Sequence, residues 1–129
     1  MQSLHGHGEG ASPVLYADTL IINWDHEGGS FVAALDKRTG RQLWRTGKDE
    51  PGPFRLDGIS EVYSSPVGAA DRVYVTDRDG TTLVISHADK PRILATNRLD
   101  ESFSSSAALA GVDLFLRGQR FLYRLAEDD

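Results

Sequence analysis

One stretch of this chain occurs three times. Ser12-Pro13-Val14-Leu15-Tyr16-Ala17-Asp18-Thr19-Leu20-Ile21-Ile22 aligns with Ser65-Pro66-Val67-Gly68-Ala69-Ala70-Asp71-Arg72-Val73-Tyr74-Val75, 53 positions on. A weaker copy, Ser106-Ala107-Ala108-Leu109-Ala110-Gly111-Val112-Asp113-Leu114-Phe115-Leu116, follows 41 positions later. Self-similarity on this scale means one supersecondary unit built repeatedly, each copy too small to bury its apolar face alone and so obliged to stack on a neighbour. The first unit carries a surplus of about a dozen residues, and it falls at 47–60, where Pro51, Gly52, Pro53 and Gly58 break any strand pattern and predict a surface loop.

Within each unit the pattern is that of short strands. No window places apolar residues at i, i+3, i+4 and i+7 over ten or more positions, so helices are not expected. Runs of β-branched and aromatic residues (Leu20-Ile21-Ile22-Asn23-Trp24, Arg72-Val73-Tyr74-Val75-Thr76, Thr82-Leu83-Val84-Ile85, Leu114-Phe115-Leu116) alternate with hairpin signals at Glu27-Gly28-Gly29, Arg38-Thr39-Gly40, Asp79-Gly80 and Arg117-Gly118. Strands are expected at 11–17, 20–25, 30–36 and 41–46 in the first unit and at 63–69, 72–76, 81–86 and 92–98 in the second. The third offers 104–110, 113–116 and 120–125. The fold class is all-β, with antiparallel units of 4, 4 and 3 strands. Four short strands in about 40 residues is the signature of a propeller blade. The organisation reads as a flexible N-terminus at 1–8, blades at 9–46 and 61–99 around the 47–60 insertion, an incomplete blade at 100–126, and an acidic tail at 127–129.

The run Ala34-Leu35-Asp36-Lys37-Arg38-Thr39-Gly40-Arg41-Gln42-Leu43-Trp44 is the most specific motif. Its pattern, Ala-x-Asp-x-x-Thr-Gly-x-x-x-Trp, resembles the repeat of the pyrroloquinoline-quinone-type β-propellers, a superfamily that includes quinoprotein alcohol dehydrogenases and the propeller lipoprotein of the outer-membrane barrel-assembly machinery. The second unit, with Asp77-Arg78-Asp79-Gly80-Thr81-Thr82-Leu83 and Ala95-Thr96-Asn97, looks like non-catalytic bacterial members, many of which are exported. The physics of the motif is readable: Gly40 takes a left-handed position in a hairpin closed by Thr39-Gly40, and Asp36 accepts hydrogen bonds from the turn amides. The resemblance implies that Trp44 docks between neighbouring blades. It covers roughly residues 9–126, but the full motif occurs once, and Ser86-His87-Ala88-Asp89 replaces it in the second unit. Propellers of the family usually close with seven or eight blades, and three do not make a ring.

Chemistry is sparse. With 14 Lys plus Arg against 19 Asp plus Glu the net charge is −5, which argues against nucleic acid and against an anionic membrane surface. No apolar run is long enough to span a bilayer, and 1–10 lacks a signal-peptide pattern. There is no cysteine, hence no disulfide, thiolate metal site or thiol nucleophile. His5, His7 and Glu9 have ligand chemistry, but flexible terminal residues explain them better. Asp25-His26-Glu27 reads as a charged hairpin tip. Asp77-x-Asp79-Gly80 lacks the third acidic ligand and bidentate Glu of a calcium loop. Ser64, Ser65 and the 102–106 serines contain no Gly-x-Ser-x-Gly elbow and suit narrow innermost strands. No catalytic, cofactor or metal residues are therefore assigned.

The expectation is a non-enzymatic propeller-repeat protein or fragment serving interaction or assembly. The alternatives are a quinoprotein remnant needing partner chains and a glycan-binding module. A chain of three blades leaves both outer faces open, and the last strand, with Phe121, Leu122 and Tyr123, is an unpaired edge that invites another chain. A homodimer closing a ring of six blades is the favoured assembly.

Overall fold

In the computed structural model, residues 12–24, 31–47, 52 and 58–126 are described. Among them there is no helix, and eleven strands form three antiparallel sheets of 4, 4 and 3 strands. The first sheet is β1 (Val14–Tyr16), β2 (Thr19–Trp24), β3 (Phe31–Asp36) and β4 (Gln42–Gly47). The second is β5 (Val67–Ala69), β6 (Arg72–Thr76), β7 (Thr81–Ser86) and β8 (Ile93–Arg98). The third is β9 (Ala108–Ala110), β10 (Asp113–Arg117) and β11 (Leu122–Leu125). Each strand pairs with the next in sequence, the meander of a propeller blade.

The three units match residue for residue at their tightest turn. The first hairpin of each turns at Ala17, Ala70 or Gly111, with φ of 51°, 47° and 62°. The turn demands a left-handed residue, and only the third unit uses the residue that takes this conformation without strain. A bulge interrupts the fourth strand in both four-stranded sheets, with Leu43 and Leu94 the extra residues opposite Ala34/Leu35 and Val84/Ile85.

Pairing fixes which face each side chain takes, because directly paired residues project on the same side. In the first sheet Ile21 pairs with Ala34, which pairs with Trp44, and Asn23 pairs with Val32. This side faces the second sheet and is called forward. In the second sheet Val73 pairs with Ile85, and Val75 with Leu83, on the side facing back. Together these residues form one buried cluster, Ile21, Val32, Ala34 and Trp44 against Val73, Val75, Leu83 and Ile85, joined by Ile59 and Val62 from the connecting segment. Leu114 and Leu116 occupy the Val73 and Val75 positions of the third unit and are likewise buried, as is Phe103.

The innermost strands differ from expectation. β1, β5 and β9 have three residues each, where seven were expected. The residues ahead of them leave the sheet ladder because serine hydroxyls take over the backbone groups. Ser64 Oγ donates to the Thr76 carbonyl at 2.7 Å, and Ser105 Oγ, 41 positions on, donates to the Arg117 carbonyl at 3.2 Å. The expected hairpin at Glu27-Gly28-Gly29, the termini, and most of 47–60 lie outside the described residues.

Candidate interaction surface

The motif turn between β3 and β4 is a closed local unit. Asp36 Oδ1 accepts from the Arg38 amide (3.0 Å), the Thr39 amide (2.8 Å) and the Thr39 hydroxyl (2.9 Å). These bonds, led by the Thr39 amide, hold its carboxyl below the usual aspartate range. Thr39 Oγ1 accepts the Arg41 amide, and Gly40, at φ 70°, donates to the Asp36 carbonyl. Trp44 leaves this turn into the cluster shared by two sheets and is 7% exposed. Asp36 and Thr39 thus order a turn, and Ala34 and Trp44 join sheets.

The junction between the first two sheets has a polar rim at its inner end. The Asp71 amide donates to Tyr16 Oη at 2.7 Å, the Tyr16 ring meets the His87 ring edge-on at 5.0 Å, and His87 Nε2 lies 3.0 Å from Thr19 Oγ1. Tyr16 rests on Gly68, where a Cβ would come within 2.8 Å of it. Asn23 Nδ2 donates to the Ser64 carbonyl across the same junction at 3.2 Å. Nothing in the sequence singled out Tyr16 and His87. The signal available was the glycine at position 68, where its counterparts are Leu15 and Leu109.

A second row crosses all three units. The Ser12 amide donates to Ser65 Oγ at 2.8 Å, and the Ser65 amide donates to Ser106 Oγ at 2.8 Å. The three serines are repeat-equivalent, so each blade's first serine is tied to that of the next. The alignment contained this signal, and sequence reasoning read it only as small residues near an axis.

Buried acids are committed to the backbone. Asp77, 1% exposed, accepts the amides of Ser60, Asp79 and Thr81. Glu101 accepts the amides of Ser102 and Arg120 and the Tyr123 hydroxyl, each at 3.3 Å, with Arg120 Nε 3.5 Å away. Burial pushes the Glu101 carboxyl up, but these hydrogen bonds and the Arg120 charge together outweigh it and hold the carboxyl below the usual range. Among the described residues no group of three or more His, Cys, Asp or Glu could hold a metal. Asp79 stands on an exposed turn; His5, His7, Glu9 and Asp25-His26-Glu27 lie outside the described residues.

Two sheet faces have no neighbouring sheet among the described residues. On the back of the first sheet, Leu15, Leu20 and Leu35 form a row across three strands, flanked by Ile22, Trp24 and Phe31, with the Arg45 guanidinium 3.7 Å over the Phe31 ring. Leu20, Ile22 and Leu35 are half-exposed and Leu15 is exposed, whereas Val73, Val75 and Ile85, the counterparts of Leu20, Ile22 and Leu35 in the second sheet, are at most 1% exposed. On the front of the third sheet Phe115 and Leu122, the latter 69% exposed, share the face with Arg117 and with Asp113 and Arg124, which are paired at 2.7 Å. Phe121 is exposed beside it, while Tyr123 turns into Glu101 and is half-buried. The β11 edge is thus stickiest at Phe121 and Leu122.

No family model and no curated protein matches the sequence. Solved structures do. The crystal structure of BamB from Moraxella catarrhalis, a β-propeller, superimposes with a TM-score of 0.61 at 17% identity, covering 87% of this chain and 29% of that one. The chain therefore spans less than a third of BamB's length. The computationally designed Ika4 protein matches with a TM-score of 0.48 at 11% identity, over 93% of this chain and 94% of that one. The BamB likeness establishes the blade fold: three consecutive propeller-type sheets.

Proposed function

We propose that this chain is a non-catalytic assembly module of the pyrroloquinoline-quinone-type propeller repeat, whose two end faces are its binding surfaces and which closes a ring by associating with itself. The observation that carries the reading is the apolar back of the first sheet. It has the pattern of a blade-to-blade contact and no blade upon it. The buried acids are consistent with the same view, since Asp77 and Glu101 spend their carboxylate oxygens on amides and a hydroxyl. Exposed apolar surface of this kind on a small chain marks a protein contact. Six blades from two chains is the smallest symmetric closure. Light scattering across micromolar concentrations tests it: the expected mass is twice 14.1 kDa. A mass of one chain at every concentration overturns the self-association.

A further inference from the structure

We infer that a second copy of this chain docks head to tail, the front of its third sheet covering the back of this chain's first sheet in the register that the internal junctions already use. The inference rests on the self-association reading and names its contact, which is face to face rather than along the β11 edge.

The argument is continuity. The first internal junction has three matched parts, the second shares its serine bond, and the open ends hold one half of each. The first part is the serine row. Ser12 donates its amide to Ser65 Oγ, and Ser65 to Ser106 Oγ. Among the described residues the Ser106 amide has no acceptor and the Ser12 hydroxyl no donor, so the row ends on a free donor at one side and a free acceptor at the other. A second copy joins them, and two copies close a belt of six serines.

The second part is size matching at the inner strands. The last residue of β1, Tyr16, is large and rests on Gly68, the middle residue of β5. Repeat register gives Ala69 opposite Leu109 at the next junction and Ala110 opposite Leu15 of the second copy at the closing one. Large meets small in the first and small meets large in the other two, so none of the three pairs two large side chains. Leu15, exposed in the isolated chain, gains a cover that fits it.

The third part is the centre of the face. Ile21 on the front of the first sheet sits against Val73 and Val75. Its counterpart in the third sheet is Phe115, and the counterparts of Val73 and Val75 in the first are Leu20 and Ile22. Docking therefore lays Phe115 on Leu20 and Ile22, an aromatic on two branched aliphatic side chains. All three are half-buried, and the Asp113–Arg124 ion pair lies beside Phe115 on the same face. Pairing of like faces, first sheet on first sheet, sets Leu15 against Leu15 and leaves both serine ends unmatched.

The absence of native cysteine makes the register readable by cross-linking. In the double variant Ser12→Cys/Ser106→Cys the two thiols are kept apart within one chain by Ser65, which stands between them in the row. They meet only across the closing junction. Ser12→Cys/Ser65→Cys is the internal control, expected to oxidise within one chain. The expected result is a wild-type mass of two chains and, for Ser12→Cys/Ser106→Cys, oxidation to a covalent dimer on a non-reducing gel, with neither single variant doing so. A wild-type dimer whose double variant fails to cross-link while the control succeeds overturns the register and leaves the self-association intact. Covalent dimers from Ser106→Cys alone, or from Ser12→Cys alone, overturn it in favour of like-face pairing. A cross-linking double variant on a wild-type assembly of three or more chains overturns the two-copy ring. A single-chain wild-type mass overturns this contact and the reading beneath it together.

Discussion

Ile21 and Ile22 are neighbours on one strand and live in different environments. Ile21 faces the second sheet and is 0% exposed, whereas Ile22 faces away from it and is half-exposed. The chemistry is the same and the backbone continuous, so the difference lies wholly in whether a blade stands opposite. The forward side of the first sheet meets Val73, Val75, Leu83 and Ile85; the back side meets no other sheet among the described residues. A propeller blade is apolar on both faces because it expects two neighbours.

The largest effect that breaks this comparison is truncation on the closed face. Trp44→Ala and Ile21→Ala each remove side chain from a packed cluster and should cost about 3–5 and 2–5 kcal/mol, read by denaturant unfolding. Ile22→Ala should cost about 1 kcal/mol or less in dilute solution, where its face is half-solvated. Its cost should rise with protein concentration as the second copy covers it. Equal costs for Ile21→Ala and Ile22→Ala, independent of concentration, would remove the distinction between the faces.

Two glycines sharpen the contrast between a crowded junction and an open turn. Gly80 (φ 95°) sits where a Cβ would run into the backbone carbonyls of Leu99 and Glu101, while Gly40 (φ 70°) has open space around the same position. Gly80→Ala adds a backbone shift to left-handed strain and should cost about 1–3 kcal/mol or more. Gly40→Ala meets only the strain, about 1–2 kcal/mol. Thermal melts of the two variants side by side check the order, and a Gly40→Ala that destabilises more than Gly80→Ala reverses it.

The smallest expected effect is in acid. The carboxyl of Glu101 titrates lower in the folded chain than in the unfolded one. Its contribution is therefore fully present above the ordinary glutamate pKa, about 4.3, and is lost as pH falls through the lower folded value. Glu101→Gln should flatten that acid limb of the stability profile while leaving the dependence due to Asp36 in place. An unchanged acid limb in the variant would show that the cluster around Arg120 and Tyr123 adds nothing to the linkage.

Much of the architecture was legible in the residues. β6 and β7 lie at the positions read from sequence, because Arg72-Val73-Tyr74-Val75-Thr76 and Thr81-Thr82-Leu83-Val84-Ile85-Ser86 are unbroken β-formers bounded by turn residues. The Asp36 turn was legible for a similar reason, since its donors and acceptor lie within a few residues of one another. The innermost strands were overextended, because a serine whose hydroxyl bonds a backbone carbonyl of its own blade looks in sequence like a serine in a strand. The Tyr16–His87 contact joins residues far apart in the chain, and no local pattern encodes it.

The division follows the range of the interactions. By itself the sequence determined what short-range forces decide: the all-β class, the three repeats, nearly every hairpin among the described residues, and the alternation that gives each sheet two apolar faces. Only the tertiary structure decided which face is covered. Burial of Ile21 and exposure of Ile22 depend on the stacking of sheets whose residues lie about 50 positions apart, and alternation along one strand treats both residues alike.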